Sequence, residues 1–264
     1  MSARTEHTPQ SLARMTAVLR AAGCVFAEDE ARLIVAESRT VADAEALVAQ
    51  RVAGLPLEHI LGWVEFCRLR LIVDHGVFIP RKRTEFLVQE AAALTPPGSQ
   101  VLDLCCGSGA IGVALAHRVG SIGLVAVDID PAAVRCAARN VTGVGGRVYE
   151  GDLFDPVPAA LRGQVTTLVA NVPYVPTREI ALLPSEAREH EPMITHDGGE
   201  DGLDVLRRVA AAAPGWLAPR GHLLVETGAD QADRAGAIFA ASGLEPRIAR
   251  SARLYATVVI GRRP

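Results

Sequence analysis

Lysine is all but missing from these 264 residues: Lys82 is the only one, so nearly all of the 27 basic side chains are arginine. With the abundant alanine, that skew is a trace of composition and carries no functional information. Positive charge is not in excess either, since 30 acidic residues leave a net charge of −3. A chain that grips nucleic acid mainly by releasing counterions is therefore not expected. Residues 1–75 repeat this balance, with eight arginines against ten acidic residues. Aromatic residues make up only 4%, which offers no self-association surface, and a monomer is expected. No apolar run approaches the roughly 18 residues of a membrane span, and the opening MSARTEHTPQ has no apolar signal core. A cytoplasmic protein without membrane contact is expected. The five cysteines are odd in number and lack the paired spacing of a zinc site. Free thiols in a reducing compartment, and no metal, are the expectation.

What is present is an ordinary globular mixture, 49% hydrophobic and 22% charged, long enough for a large domain with a smaller one attached. From Pro9 to about Gly62 apolar residues recur at helical spacing, through Leu12, Met15, Val18 and Leu19, then Leu33, Ile34 and Val35, then Val41, Leu47 and Val48. Gly23 and Gly54 stand where helices would stop. Leu69–Val73 and Val77–Ile79 read as two short strands turning at Asp74–Gly76, a hairpin joining the helical part to the rest. The division expected is a helical domain over 1–62, a hairpin linker over 63–80 and a second domain over 81–264.

Beyond Pro96-Pro97-Gly98 strands and helices alternate. Strands are predicted at 101–104, 124–129, 147–150, 167–171, 222–226 and 256–261, and helices at 84–94, 109–118, 131–140, 201–213 and 229–241. This is the rhythm of a doubly wound, Rossmann-like α/β sheet, which binds ligands beyond its strand C-termini. The run Val101-Leu-Asp-Leu-Cys-Cys-Gly-Ser-Gly-Ala-Ile-Gly112 passes from strand through a glycine turn into a helix. Read literally, its Gly-x-Gly-x-x-Gly with Asp128 further on is also a dinucleotide fingerprint, the basis for an oxidoreductase alternative. Asp103 turns the reading towards S-adenosylmethionine. A carboxylate four residues before Gly107 suits a cationic amino-acid group and is unwelcome beside a pyrophosphate. Asp128 could accept from both ribose hydroxyls, and Asp152-Leu153-Phe154 offers an acceptor and an apolar ring to an adenine. The same three acids could instead do no more than cap turns and helices.

Asn171-Val172-Pro173-Tyr174 follows the fourth strand of the sheet at the same edge. An Asn carbonyl and a backbone carbonyl can accept both hydrogens of an NH₂ group and turn its lone pair towards a methyl donor. Tyr174 offers a flat face for stacking, and Pro173 biases Val172 towards an extended shape. A bland strand-end turn would use similar residues.

With the Asp103–Gly109 turn, this segment resembles the Asn-Pro-Pro-Tyr class of amino-group methyltransferases. Nearly the whole chain resembles the HemK/PrmC branch, the protein-(glutamine-N5) methyltransferases that act on peptide chain release factors. Ala53–Gly62 with Glu65-Phe66 resembles that family's helix-to-hairpin segment, and Phe78–Arg81 with Thr84-Glu85 its Ile-Pro-Arg-Pro-x-Thr-Glu stretch. Glu191-Pro192 and Gly198–Leu203 resemble the segment that follows its catalytic loop. The resemblance implies a class I methyltransferase fold with a seven-stranded sheet, an N-terminal helical domain that recognises a protein substrate, and S-adenosylmethionine leaving as S-adenosylhomocysteine. It places Asp103, Gly107 and Gly109 along the methionine part of the cofactor, Asp128 at the ribose, Asp152 and Leu153 at the adenine, with Cys105 and Ile129 beside them. Pro80, Arg81, Thr84 and Glu85 would border that pocket. Asn171, also near the cofactor, and the Val172 carbonyl would hold the glutamine amide, with Pro173 and Tyr174 against it. His190, His196 and Cys105 are the other groups that could do chemistry, and a structural role is expected for each. The sequence departs from the pattern where Val172 replaces the first proline, Lys82-Arg83 replaces Pro-x, and Cys105-Cys106 replaces Gly-Thr. Another protein's glutamine, or a base amine of nucleic acid, is the alternative acceptor; a binding module that has lost catalysis is the alternative role.

Overall fold

The computed structural model describes residues 8–264, so the first seven residues of the 1–62 segment and most of the stretch read for a signal core lie outside the described residues. Four helices open the chain: α1 (Pro9–Ala21), α2 (Ala27–Glu37), α3 (Val41–Val52) and the short α4 (Leu57–Leu61). Their starts are written locally. Thr8 caps α1 with Pro9 in its first turn, and Thr40 and Asp43 cap α3 reciprocally at 3.1 Å each. Their stops are the expected glycines, Gly23 at φ 92° and Gly54 at φ 100°. Met15, Leu19, Ala31, Ile34, Ala44 and Val48 meet in a small core of their own. A buried guanidinium joins that bundle to the rest: Arg51 donates to Glu30 at 2.7 Å, to the Leu55 carbonyl at 3.0 Å and to Glu186 at 2.5 Å.

The hairpin is real but lies elsewhere than expected. Strand β1 (Trp63–Phe66) pairs antiparallel with β2 (Leu69–Ile72). The turn is the two-residue Cys67-Arg68, both at positive φ (52° and 63°), the geometry that suits strand twist and that glycine or asparagine normally advertises. Neither residue signals it. The Cys67 N–H is held by Glu85 Oε1 at 2.9 Å. Residues 77–79 form no strand, because side chains satisfy their backbone: His59 Nε2 sits 2.8 Å from the Val77 carbonyl, and Ile79 N–H donates to Glu191 at 3.1 Å. Asn140 then ties β2 to the glycine turn. Its amide pairs with both the N–H and the carbonyl of Ile72 at 2.9 and 2.8 Å, and also donates to the Ser108 carbonyl at 2.9 Å.

After α5 (Glu85–Ala93) come β3 (Gln100–Leu104), α6 (Ala110–Val119), β4 (Gly123–Asp128), α7 (Pro131–Val141), β5 (Arg147–Glu150), β6 (Val165–Ala170), α8 (Ser185–His190), α9 (Asp204–Trp216), β7 (Leu217–Thr227), α10 (Ala232–Ala241), β8 (Glu245–Ser251) and β9 (Ala256–Arg262). They make one seven-stranded sheet in the order β5-β4-β3-β6-β7-β9-β8, parallel up to β7, with β9 antiparallel to both neighbours. Strand β8 carries no sequence signal, since Glu-Pro-Arg-Ile-Ala-Arg-Ser is an edge strand and has no need of an apolar run. Apolar side chains alternate between two buried layers, one under α5, α6, α7 and the hairpin, the other under α9 and α10. The chain winds outward from β3 in one direction and from β6 in the other, so the crevice between these two strands is where such a sheet opens to ligand. Among the described residues no helix is long and apolar enough to cross a membrane.

Candidate active site

Sheet register decides which residues meet. Leu104 pairs with Val127 and with Ala170, and Asp128 pairs with Glu150. Cys105, Asp128, Gly151 and Asn171 therefore emerge at nearly one level from four adjacent strands. The turn after β3 is fixed by its own backbone. Cys106 N–H donates to the Val127 carbonyl at 3.0 Å, Gly109 N–H to the Cys106 carbonyl at 2.7 Å, and Gly107 N–H to Asp128 Oδ2 at 2.8 Å. Gly107 and Gly109 adopt φ 55° and 76°, where a side chain is strained. Gly112 has a different reason. A Cβ there would stand 2.8 Å from Leu124 and 3.0 Å from Asp103, so the last glycine serves close packing of α6 on the sheet, a role it has whatever ligand the turn holds.

Asp103 is completely buried. Its Oδ2 accepts from Gly112 N–H at 2.9 Å, while Oδ1 has no partner. Burial, with the charge of Asp128 adding to it, pushes its carboxyl up to about 8. It stands behind the glycine turn and is not among the residues that form the cavity wall. Cys105 occupies φ 53°, where the family pattern has glycine. Burial and the neighbouring acids raise its thiol well above the usual range, which keeps it protonated and a poor nucleophile.

In front of the turn lies a cavity of about 650 Å³. Cys105, Gly107, Asp128, Ile129, Asp152 and Leu153 form one side, Asn171 to Tyr174 another, and Pro80, Arg81 and Thr84 a third. Burial raises the Asp128 carboxyl against the pull of the Asp130 and Gly107 N–H groups. Asp152 is not free: Arg208 of α9, also on the wall, donates to it at 2.6 Å. Phe154 is absent from the cavity. It stacks on Trp216 with ring centres 5.5 Å apart, inside the layer beneath α9. Glu85 is likewise elsewhere, holding the hairpin turn and Lys82 at 2.8 Å. Arg81 instead pairs with Glu191 at 2.5 Å. That buried carboxylate faces Ile79, Arg81 and His196, and so clamps the 79–81 segment to the 191–196 segment. His196 is on the wall but within this clamp, and His190 packs edge-on against His75 away from it. Pro56 and Glu58, from the helical part, also reach the wall.

The loop after β6 is built from distant pieces. Val175 N–H donates to the His196 carbonyl, Gly198 N–H to the Val175 carbonyl and Thr177 N–H to the Gly199 carbonyl, each at 2.9 Å. Gln231, buried at the start of α10, donates to the Tyr174 carbonyl at 2.9 Å and to the Asp201 carbonyl at 3.1 Å. A side chain on Gly198 would strike the carbonyls of Pro173 and Gly202, and one on Gly202 would strike the Tyr174 carbonyl. The Gly198–Leu203 stretch is thus glycine-rich because it runs directly against the loop. Nothing in the sequence of Gln231 or Arg208 announces either role. Within this brace Asn171 Oδ1 is buried without a partner, and among the described residues the Val172 carbonyl accepts no hydrogen bond. Two buried acceptors consequently lack a partner on residues of the cavity wall, at the level of the glycine turn.

Residues 68–183 match the family model described as Methyltransferase small domain. A release factor glutamine methyltransferase of Geobacter sulfurreducens is 42% identical over 77% of this chain and 71% of its own length. A 4-amino-L-phenylalanine/4-methylamino-L-phenylalanine methyltransferase of Streptomyces pristinaespiralis is 36% identical over 74% of this chain and 69% of its own. In fold alone, a methyltransferase structure from Pyrococcus furiosus, 13% identical, superposes with a TM-score of 0.52 over 68% of this chain and 81% of that one. The chain belongs to the release factor glutamine methyltransferase family.

Proposed function

We propose that this protein transfers a methyl group from S-adenosylmethionine to the side-chain nitrogen of a protein glutamine, the one in the Gly-Gly-Gln loop of peptide chain release factors. The observation that carries this reading is the pair of buried acceptors without partners, Asn171 Oδ1 and the Val172 carbonyl, on residues that line a glycine-turn cavity. The residues fit the cofactor as well. Asp128 and Ile129 stand at the end of β4 for a ribose and adenine, Leu153 offers apolar cover, and the turn at Gly107 leaves open space where a side chain would project. Bound S-adenosylmethionine supplies an electrophilic methyl on a sulfonium.

The chain's own residues supply geometry. An amide nitrogen is a poor nucleophile because its lone pair is delocalised, so orientation and exclusion of water carry the acceleration. Asn171 and Val172 take the two N–H bonds and leave the lone pair facing the methyl. The C–N bond would form as the S–C bond broke, and the nitrogen, acidic only from that moment, would lose its proton to bulk solvent as the product left. No base is needed beforehand. Val172 in place of proline keeps the accepting carbonyl, and Pro173 keeps the backbone extended.

Pro56 and Glu58 on the cavity wall support reading 1–62 as the substrate-recognition part, with 63–80 the linker and 81–264 the catalytic domain. On this reading the enzyme acts as a monomer in the cytoplasm. Tandem mass spectrometry of the host's release factors, after incubation with this protein and S-adenosylmethionine, tests the reading. One added methyl on that glutamine is expected. An unmodified glutamine from a preparation that binds S-adenosylhomocysteine would overturn the acceptor. The next acceptor to assay would then be an aromatic amine like that named for the Streptomyces relative, whose NH₂ group would meet the same two carbonyls.

A further inference from the structure

The Tyr174 ring is held at its far end by two residues that nothing so far has given a role. Arg83 Nη2 donates to the Tyr174 hydroxyl oxygen at 2.6 Å, Arg83 Nε donates to Glu226 Oε1 at 3.0 Å, and the Tyr174 hydroxyl donates to that same oxygen at 3.2 Å. Glu226, at the end of β7, is only 2% exposed. Arg83 comes from the 3₁₀ turn Lys82–Thr84 and lines the cavity, with its guanidinium 5.9 Å from the Tyr174 ring centre. Three segments far apart in sequence thus converge on one hydroxyl. Burial and the charge of Glu226 raise the Tyr174 phenol, so the hydroxyl stays a donor.

We propose that Arg83, together with Glu226, is a positioning residue: it fixes the plane of the Tyr174 ring, and the ring in turn presses the acceptor NH₂ group against Asn171 and the Val172 carbonyl. This rests on the methyl-transfer reading above. Backbone contacts hold the loop, but a tyrosine ring on a fixed loop still turns about two side-chain torsions. A charge-assisted fork at its hydroxyl removes that freedom. Misplacing a reacting group by about 1 Å can lower turnover about 100-fold.

A double-mutant cycle on kcat tests the proposal. Arg83→Ala and Tyr174→Phe are each expected to lower kcat about 10- to 100-fold while S-adenosylhomocysteine affinity stays within about twofold, which also shows that the variants fold. The double variant is expected to be no slower than Tyr174→Phe alone, because Arg83 acts through the hydroxyl. Arg83→Lys, with a donor for only one of the two partners, is expected to recover part of the loss. Losses that multiply in the double variant, or an unimpaired Arg83→Ala enzyme, would overturn it. The second readout needs no acceptor. The chain has three tyrosines, so ring signals of ¹³C-labelled tyrosine can be assigned, and Arg83→Ala is expected to shift Tyr174 while Tyr149 and Tyr255 stay in place. A Tyr174 signal that does not move sinks the tether whatever the acceptor proves to be. A signal that moves, in a protein that leaves release factors unmodified, sinks the acceptor assignment and leaves the tether standing.

Discussion

The loops after β3 and β6 leave neighbouring strands at the same level, yet they are held in opposite ways. Cys105–Gly109 is fixed by its own N–H groups and left-handed glycines, by the end of the next strand and by Asn140 of the helix that follows it. Asn171–Val175 is fixed by residues 196–202, Gln231, Arg83 and Glu226, which come from four other parts of the chain. The cofactor end is thus a local construction and the acceptor end an assembled one. A cofactor is invariant, so a short stretch of sequence can specify its cradle. An acceptor must be oriented to a fraction of an ångström, and that takes support from several directions.

The sharpest way to break the contrast is at the two unpartnered acceptors. Asn171→Ala should lower kcat by at least about 100-fold with S-adenosylhomocysteine affinity nearly unchanged, checked by single-turnover kinetics beside calorimetry. Near-normal turnover would remove Asn171 from the reaction. Next in size is the brace. Gly202→Ala places a Cβ on the Tyr174 carbonyl at a φ of 76°, and about 2–4 kcal/mol of lost stability is expected by urea denaturation, with slowed turnover.

The cradle offers a pH-dependent comparison. The Asp103 carboxyl titrates near 3.8 when unfolded and is pushed up to about 8 when folded. Between those values the folded protein holds a proton that the unfolded chain has lost, so the stability this group contributes is fully present below about pH 4 and is lost as pH rises towards 8. Asp103→Asn keeps an acceptor for Gly112 N–H and should flatten that slope in urea denaturation of the ligand-free protein between pH 4 and 9. An unchanged slope would assign the dependence to other groups. The smallest effect is expected at Cys105, where Cys105→Gly should relieve a left-handed side chain and stabilise by about 0.5–1 kcal/mol, read as a higher urea midpoint.

The same contrast explains what could be read in advance. The alternation of strands and helices, the helix stops at Gly23 and Gly54, and the Asn171–Tyr174 segment are local patterns, and they were legible. The hairpin was misplaced because its turn uses Cys67 and Arg68 rather than glycine, and the polar edge strand β8 carried no apolar signal. Phe154 is expected at the cavity from its place after a strand and Glu85 from the family resemblance, whereas the packing of Trp216 and the hairpin turn claim them. The acceptor brace was the least legible of all. No periodicity or motif marks Gln231, Glu226 or Arg83, whose roles exist only once the sheet has brought distant segments together.

Asn140 carries a consequence for how the molecule opens. Its one amide completes the backbone of Ile72 as a neighbouring strand would, and at the same time holds the Ser108 carbonyl. The hairpin therefore cannot fray without pulling on the cradle. In amide hydrogen exchange, the protons of Ile72 and of the first turn of α6 should belong to one cooperative unit, and a ligand that quietens the turn should slow exchange in the hairpin it never touches.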